Sequence, residues 1–412
     1  MLVNNLLTLD YYTACIPYSL TNLASQLKSP TLVRIDINIP VVDGRIMEDN
    51  MRIIAYAHIL ELLSEYAGLV VVAHQGRPGD EDFIPLKQHW VALRKLLPSK
   101  IDIDFIPKDK VFTEETKSRI MDLREREILL LDNIRMFEEE QKWNPEKSQF
   151  IKFFKGVIKS CVNDAIPVWH RAHTSVMALP YIARTWVGLR SMYELKALSE
   201  VMRNAKDCAI IMGGAKLQKI QYLTSILSRM EGFTGGLPGQ LVARVKGYDL
   251  GPRNNSFLES KMSREDFEAA KILAEKFNVA HPVDFVVLDN GEIREVHIED
   301  MSKCNGIIMD IGSETVEVYA RRLQEKVYRI RAGPLGVYEK GFSNGVELTK
   351  LIAGLGLIFL GGDTTAEIVK YGLDRIILST GGMLCISGGA FIHGLAGENY
   401  PSVDLILKQN KL

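Results

Sequence analysis

Short apolar runs that stop abruptly at polar, basic tips constrain this chain more than any other feature. Residues 31–35 (TLVRI) lead into Asp36, Asn38 and Pro40, with Arg52 soon after. Residues 69–73 (LVVVA) lead into His74, Gly76, Arg77 and Pro78, and residues 128–131 (ILLL) lead into Asp132, Asn133 and Arg135. A fourth segment beginning at Cys161 passes through Asn163-Asp164-Ala165 to His170-Arg171-Ala172-His173. Runs of four or five mostly branched apolar residues suit parallel strands buried on both faces, not amphipathic helices. Ligands of open α/β sheets sit at the carboxyl ends of such strands. A guanidinium grips phosphate or carboxylate oxygens in pairs, so its recurrence at strand tips implies a strongly anionic ligand. For a single arginine a surface ion pair is the default reading; four recurrences at one structural address reverse that.

The second half carries different chemistry. The run Cys208–Met212 opens into Gly213-Gly214-Ala215-Lys216, with Lys219 following on a helical stretch. Further strand-like runs lie near residues 285–288, 306–309, 327–330, 357–360 and 375–378. Gly235-Gly236 and Gly361-Gly362-Asp363-Thr364 are two more glycine joints, the latter before a helical pattern over 366–371. Glycine lets backbone N–H groups approach a phosphate, and a helix start adds partial positive charge. Asp363 is the candidate magnesium ligand, through water, and Thr364 the candidate phosphate donor at the helix cap. Each glycine pair alone is equally a tight turn; with Lys216 they favour a nucleotide. Neither a P-loop nor a dinucleotide fingerprint is present, which excludes those two solutions. Residues 253–256 (RNNS) read as a polar loop.

A chain of 412 residues is long for one core, and two domains are expected. With a net charge of -1 there is no global field for nucleic acid or an anionic membrane, so any anion site must be local. The five scattered cysteines lack paired or metal-ligand spacing, which suits reduced thiols in the cytoplasm. No signal peptide is evident at the start, and the best apolar run, residues 351–360, falls short of the ~20 residues that cross a bilayer. A soluble cytoplasmic α/β protein is expected, with no nucleic-acid or membrane partner. Residues 192–204 have helical spacing and join the two halves.

Taken in order, VRxDxNxP, HxGRP, NxR, NDA with HRAH, GGAK, GPxGxxE, GGDT and STGG resemble the motif series of the phosphoglycerate kinase family over nearly the whole chain from Thr31. The resemblance implies two Rossmann-like lobes, each a mostly parallel sheet flanked by helices, facing a central cleft. It places an N-terminal lobe at 1–188, an interlobe helix at 189–206, a C-terminal lobe at 207–385 and a segment returning to the first lobe at 386–412. By the same resemblance Asp36, Asn38, Arg52, His74, Arg77, Arg135 and Arg171 line the site for 3-phosphoglycerate or 1,3-bisphosphoglycerate, with His170 beside it. Gly214, Lys216, Lys219, Gly235, Gly236, Pro334, Glu339, Gly361, Gly362, Asp363 and Thr364 surround ADP or ATP with Mg2+. Arg52 and Lys216 meet the phosphoryl group in flight, and Glu339 holds the ribose. A monomer is implied, with a homodimer as the alternative.

Departures from the family pattern mark a divergent, archaeal-type branch. Lys216 and Lys219 stand one residue closer than the family's two lysines, so Lys219 is assigned the lesser role. Ala332 replaces an Asn before Gly-Pro, Leu360 replaces a Gly, and residues 379–389 align in two ways. The reaction implied is phosphoryl transfer between the acyl phosphate and ADP. Its carboxylate acceptor, with a pKa of ~4, is already ionised and requires no base. Positioning and cationic stabilisation then carry catalysis, and closure of the cleft, hinged near 192–204 or 379–389, would exclude water. His74, His170 and His173 are read as substrate hydrogen-bonders before metal ligands, since no zinc-like spacing accompanies them. Two rivals stay open at this point: a non-catalytic anion and nucleotide sensor, and a kinase for another phosphorylated acid.

Overall fold

The computed structural model describes residues 20–48, 50–217, 220–354 and 356–410. The chain forms two compact units, one running to Ser199 and resuming at Asn399, the other spanning Glu200–Glu398. The helix Leu189–Arg203 carries the chain across the first boundary.

In the first unit six strands form one parallel sheet: β1 Thr31–Arg34, β2 Leu69–Val72, β3 Asp102–Ile106, β4 Glu127–Leu131, β5 Ser160–Asn163 and β6 Thr185–Val187. Their order is β3-β4-β2-β1-β5-β6. Every residue of β1, β2 and β5 is buried; β2 is accordingly apolar throughout, whereas Thr31 and Arg34 of β1 and Ser160 and Asn163 of β5 are polar and bonded within the fold. Strand order reverses between β1 and β5, so a crevice opens at their carboxyl ends, where Asp36 and Asp164 follow. Asp164 fixes the start of the helix Leu189–Arg203: its carboxylate accepts the N–H groups of Ser191 at 2.7 Å and Arg190 at 3.3 Å. A side chain at Gly188 would collide with it, since a Cβ there would lie 2.2 Å from the Asp164 Cβ. The helix Pro401–Gln409 belongs to the same unit, where the Gln409 amide donates to the carbonyls of Pro180 and Ala183 at 2.8 and 2.9 Å.

The second unit contains a five-stranded parallel sheet of β7 Cys208–Met212, β8 Glu231–Thr234, β12 Tyr328–Ala332, β13 Leu357–Leu360 and β14 Met383–Cys385, in the order β8-β7-β12-β13-β14. A smaller antiparallel sheet, β10-β9-β11, is built from β9 Asp284–Asp289, β10 Glu292–His297 and β11 Ile307–Ile311. Here the order reverses between β7 and β12, bringing Gly213 and Gly333 to one crevice.

Two expectations need correction. Residues 375–378 do not form a strand: they lie in the helix Asp374–Ser379, with Ile377 buried and Ile376 and Leu378 exposed. An apolar run of this length does not distinguish a strand from a half-buried helix. Residues 253–256 are not a loop either. They start the helix Pro252–Lys261, where Pro252 suits the first helical position and the Asn254 amide bonds the carbonyls of Leu250 and Gly306. Cys161, Cys208, Cys304 and Cys385 are buried thiols that form no disulfide.

Candidate active site

The carboxyl ends of β1, β2, β4 and β5 gather the basic side chains expected there. Arg52, in the first turn of the helix Met51–Ser64, donates to Asp36 Oδ1 at 2.9 Å and to the Asn38 carbonyl at 2.7 Å. Asn38 Oδ1 in turn accepts the Gly76 N–H at 2.8 Å, and Arg135 donates to the Gly76 carbonyl at 2.5 Å. Gly76 has φ +65° and a Cβ there would meet the Asp82 carbonyl at 2.4 Å, so only glycine makes this turn. Arg171 donates through Nε to His170 Nε2 at 3.2 Å. Arg77 is exposed; its carbonyl accepts the Asp80 N–H at 2.9 Å.

Several members of the cluster were not singled out from sequence. Arg34, fully buried on β1, donates to His74 Nδ1 at 3.0 Å and to Ser175 Oγ at 2.8 Å. An arginine inside an otherwise apolar strand was the available signal, because such a charge is buried only when it is bonded. Since arginine can only donate, His74 must accept at Nδ1 and carries its proton on Nε2. Glu140 is buried beside Ser175, taking its N–H and hydroxyl at 2.8 Å each. Gln75 and Asn133 complete the scaffold: Asn133 donates to the Gln75 carbonyl at 2.7 Å and accepts the Arg135 N–H at 3.1 Å.

Five guanidiniums, those of Arg34, Arg52, Arg77, Arg135 and Arg171, gather here, with the Asp36 carboxylate bonded to Arg52 and Glu140 beside Arg34. Burial, and then the neighbouring Arg34 and Arg171 charges, push Arg135 down to about 10. Burial followed by Arg34 holds His74 well below the usual histidine range, so it is neutral. His173 is brought to about 3 by burial, with Arg135, Arg34 and Arg171 adding to the effect. An unfolded histidine near 6.5 binds a proton that folded His173 refuses, so its contribution to stability is present above pH 6.5 and is lost as pH falls toward 3. In His173→Gln the acid-side loss should therefore be shallower. Denaturant melts at pH 7, 5.5 and 4 test this, and a wild-type advantage that stays constant across them would refute it.

In the second unit the glycine joints converge on two adjoining cavities. The smaller, of about 40 Å³, is lined by Gly213–Lys216, Gly333, Pro334 and Leu360–Thr364. The larger, of about 420 Å³, shares Gly214, Ala215, Pro334 and Asp363 and extends past Gly236, Leu237, Val337 and Glu339 to apolar Ile307–Met309 and Phe257. Close backbone packing dictates the glycines: the Gly214 N–H donates to the Pro334 carbonyl at 2.6 Å, and a Cβ on Gly333 (φ +109°) would lie 2.3 Å from the Gly213 oxygen. Gly235 lines neither cavity. It precedes the helix Gly236–Val245, and a Cβ there would press on Leu335 at 2.8 Å. Lys216 is exposed at the smaller cavity, whereas Lys219 lies outside the described residues.

Asp363 and Thr364 stand in the first turn of the helix Gly362–Lys370. The Thr364 hydroxyl accepts the Gly333 N–H at 2.9 Å and donates to the Leu360 carbonyl at 2.8 Å, tying β12 to β13. Its hydroxyl proton is committed, so any phosphate contact there falls to the helix's first-turn N–H groups, which have no partner inside the helix. Glu339 is exposed at the mouth of the larger cavity.

The profile of the phosphoglycerate kinase family matches residues 24–398. The chain is 30% identical over 402 residues to the phosphoglycerate kinase of Methanothermus fervidus, spanning 93% of this chain and 95% of that one. It is 33% identical over 391 residues to that of Thermococcus sibiricus, spanning 90% and 92%. The crystal structure of phosphoglycerate kinase from Pyrococcus horikoshii superposes with a TM-score of 0.83 at 28% identity, over 94% of this chain and 98% of that one. The enzyme from Coxiella burnetii gives 0.71 at 25% identity, over 95% and 99%. With a family match over most of its length and two halves that each place a crevice at a sheet's switch point, this chain belongs to the phosphoglycerate kinase family.

Proposed function

We propose that the basic crevice of the first unit holds 3-phosphoglycerate or 1,3-bisphosphoglycerate and that the glycine-lined cavities of the second hold ADP or ATP. The activity is that of the family, reversible phosphoryl transfer from 1,3-bisphosphoglycerate to ADP. The observation that carries the site assignment is the gathering of five guanidiniums, Arg34, Arg52, Arg77, Arg135 and Arg171, at the carboxyl ends of β1, β2, β4 and β5. A phosphorylated carboxylate is the kind of ligand such a gathering suits.

Arg52 points its guanidinium from a helix start, steadied by Asp36 and Asn38, and offsets charge on the moving phosphoryl oxygens. Neutral His74 offers Nε2–H as a donor without adding charge. Lys216 and the first-turn N–H groups at 362–364 receive the nucleotide phosphates, and Glu339 bonds the ribose hydroxyls. The acceptor carboxylate needs no base, which agrees with a cluster of donors in which buried His74 and half-buried His173 are held unprotonated. Magnesium fits the donor set: Asp363 is an exposed carboxylate facing both cavities with no ion pair among the described residues, and one carboxylate plus phosphate oxygens is a usual set for this ion. When bound there it would supply charge neutralisation on the phosphates.

A coupled assay with 3-phosphoglycerate and Mg-ATP tests the reading directly. Turnover is the expected result. Binding of both ligands without turnover would leave an anion and nucleotide sensor, and turnover only with another phosphorylated acid would reassign the first crevice.

A further inference from the structure

At the larger cavity of the second unit a buried carboxamide oxygen has no partner among the described residues. Gln240 lies in the helix Gly236–Val245, one turn beyond Gly236, and lines the 420 Å³ cavity together with Leu237, Ile308, Met309 and Pro334. The residue is only 6% exposed, yet its Oε1 has no hydrogen-bond partner among the described residues. Buried carboxamides are normally satisfied, and an unpaired one in apolar surroundings is costly. The other carboxamide at the cavity behaves in the ordinary way. Asn254 donates to the Leu250 and Gly306 carbonyls at 2.9 Å each and accepts the Ile308 N–H at 3.0 Å, which holds β11 in place. Both of its ends are committed to the protein.

We infer that Gln240 reads the base of the bound nucleotide, its carboxamide accepting from the exocyclic amine of adenine and donating to a neighbouring ring nitrogen. The inference deepens the assignment of this cavity to the nucleotide and rests on it. A carboxamide carries an acceptor and a donor side by side, the arrangement that matches adenine's amine and ring nitrogen. It is also uncharged, so at this buried position it is disfavoured far less than a carboxylate or ammonium would be. Apolar neighbours such as Ile308 and Met309 supply contact area to any flat base but do not distinguish one base edge from another. Discrimination therefore falls to Gln240. A site built to bond an N–H rejects the analogue lacking it, because its own polar group is then left unpaired.

The test compares binding of ADP with that of the diphosphate of 6-unsubstituted purine riboside, by calorimetry on the intact protein. The wild-type chain is expected to prefer ADP by about 10-fold, the order of one hydrogen bond. In Gln240→Leu, an apolar replacement of similar size, the preference should shrink to within about twofold, and the Michaelis constant for 3-phosphoglycerate should not change. A merely structural glutamine would alter stability and leave the ratio alone. Equal affinity of the wild-type chain for the two nucleotides, a comparison that needs no variant, would overturn the inference, as would an undiminished preference in Gln240→Leu. If the wild-type chain bound neither nucleotide, the assignment of the cavity itself would fall, a result distinct from binding without discrimination.

Discussion

Arg52→Ala is expected to lower turnover by about 10³-fold, on the order of 4 kcal/mol of barrier, the scale of a cation that stabilises a transferring phosphoryl group. The geometry gives the reason. Asn50 caps the helix by accepting the Arg52 N–H at 3.0 Å, and Asp36 and the Asn38 carbonyl fix the guanidinium from below. A cation so held needs little reorganisation when charge develops on the moving group. The loss should therefore appear mainly in kcat, since Arg34, Arg77, Arg135 and Arg171 remain to bind the acid. Lys216→Ala should lose a similar factor on the nucleotide side. The truncation at Arg52 also leaves Asp36, which is 1% exposed, without its partner, so thermal stability will fall as well. Arg52→Lys separates the two effects: it retains a charge for Asp36 but loses the planar fork, so stability should recover while turnover stays depressed. Near-normal turnover in both purified alanine variants would remove these residues from the chemistry.

How much of this was legible in the sequence depended on whether a residue's role was local. The strand-end motifs were readable because a parallel strand buried on both faces is mostly apolar and ends where polar residues begin, as at Asp36 after β1 and His74 after β2. Residues that act by supporting others were not. Glu140 is 35 positions from Ser175, and no spacing connects them, though it is the carboxylate that offsets Arg34. Thr364 carries a contact that its motif does not reveal. Its place after Gly361-Gly362-Asp363 suggests a phosphate donor, and its hydroxyl also closes a contact to Gly333, 31 positions away, that only the adjacency of β12 and β13 creates. Residues 375–378 misled for a third reason, since four apolar residues satisfy a strand and one face of a helix equally. Gln240 gave no signal at all in sequence; only its burial without a partner in an apolar cavity distinguishes it.

Beneath the glycine cradle lies the pair for which the largest stability effect is expected. Arg331 on β12 and Glu367 on the helix Gly362–Lys370 are each 1% exposed and meet at 2.7 Å, and Arg331 also donates to the Gly345 carbonyl at 3.2 Å and to Thr349. Burial pushes Glu367 up, with Arg331 pulling it back, and burial pushes nearby Asp310 up to about 6. Gly336 belongs to the same arrangement, because a Cβ there would come within 2.1 Å of the Asp310 carboxyl carbon. The pair therefore joins the strand that leads into Gly333 to the helix whose first turn carries Asp363, and so sets the distance between two walls of the smaller cavity. Glu367→Ala strands a guanidinium in the core, and a cost of about 3–5 kcal/mol follows from removing one partner of a buried pair. Replacing both, Arg331→Met with Glu367→Leu, removes the desolvation penalty along with the attraction and should recover most of that loss. Urea melts of the wild type, both single variants and the double variant form the necessary cycle. A double variant no more stable than Glu367→Ala would mean that the pair's hydrogen bonds to the 345–349 segment, and not its charge balance, hold this part of the second unit together.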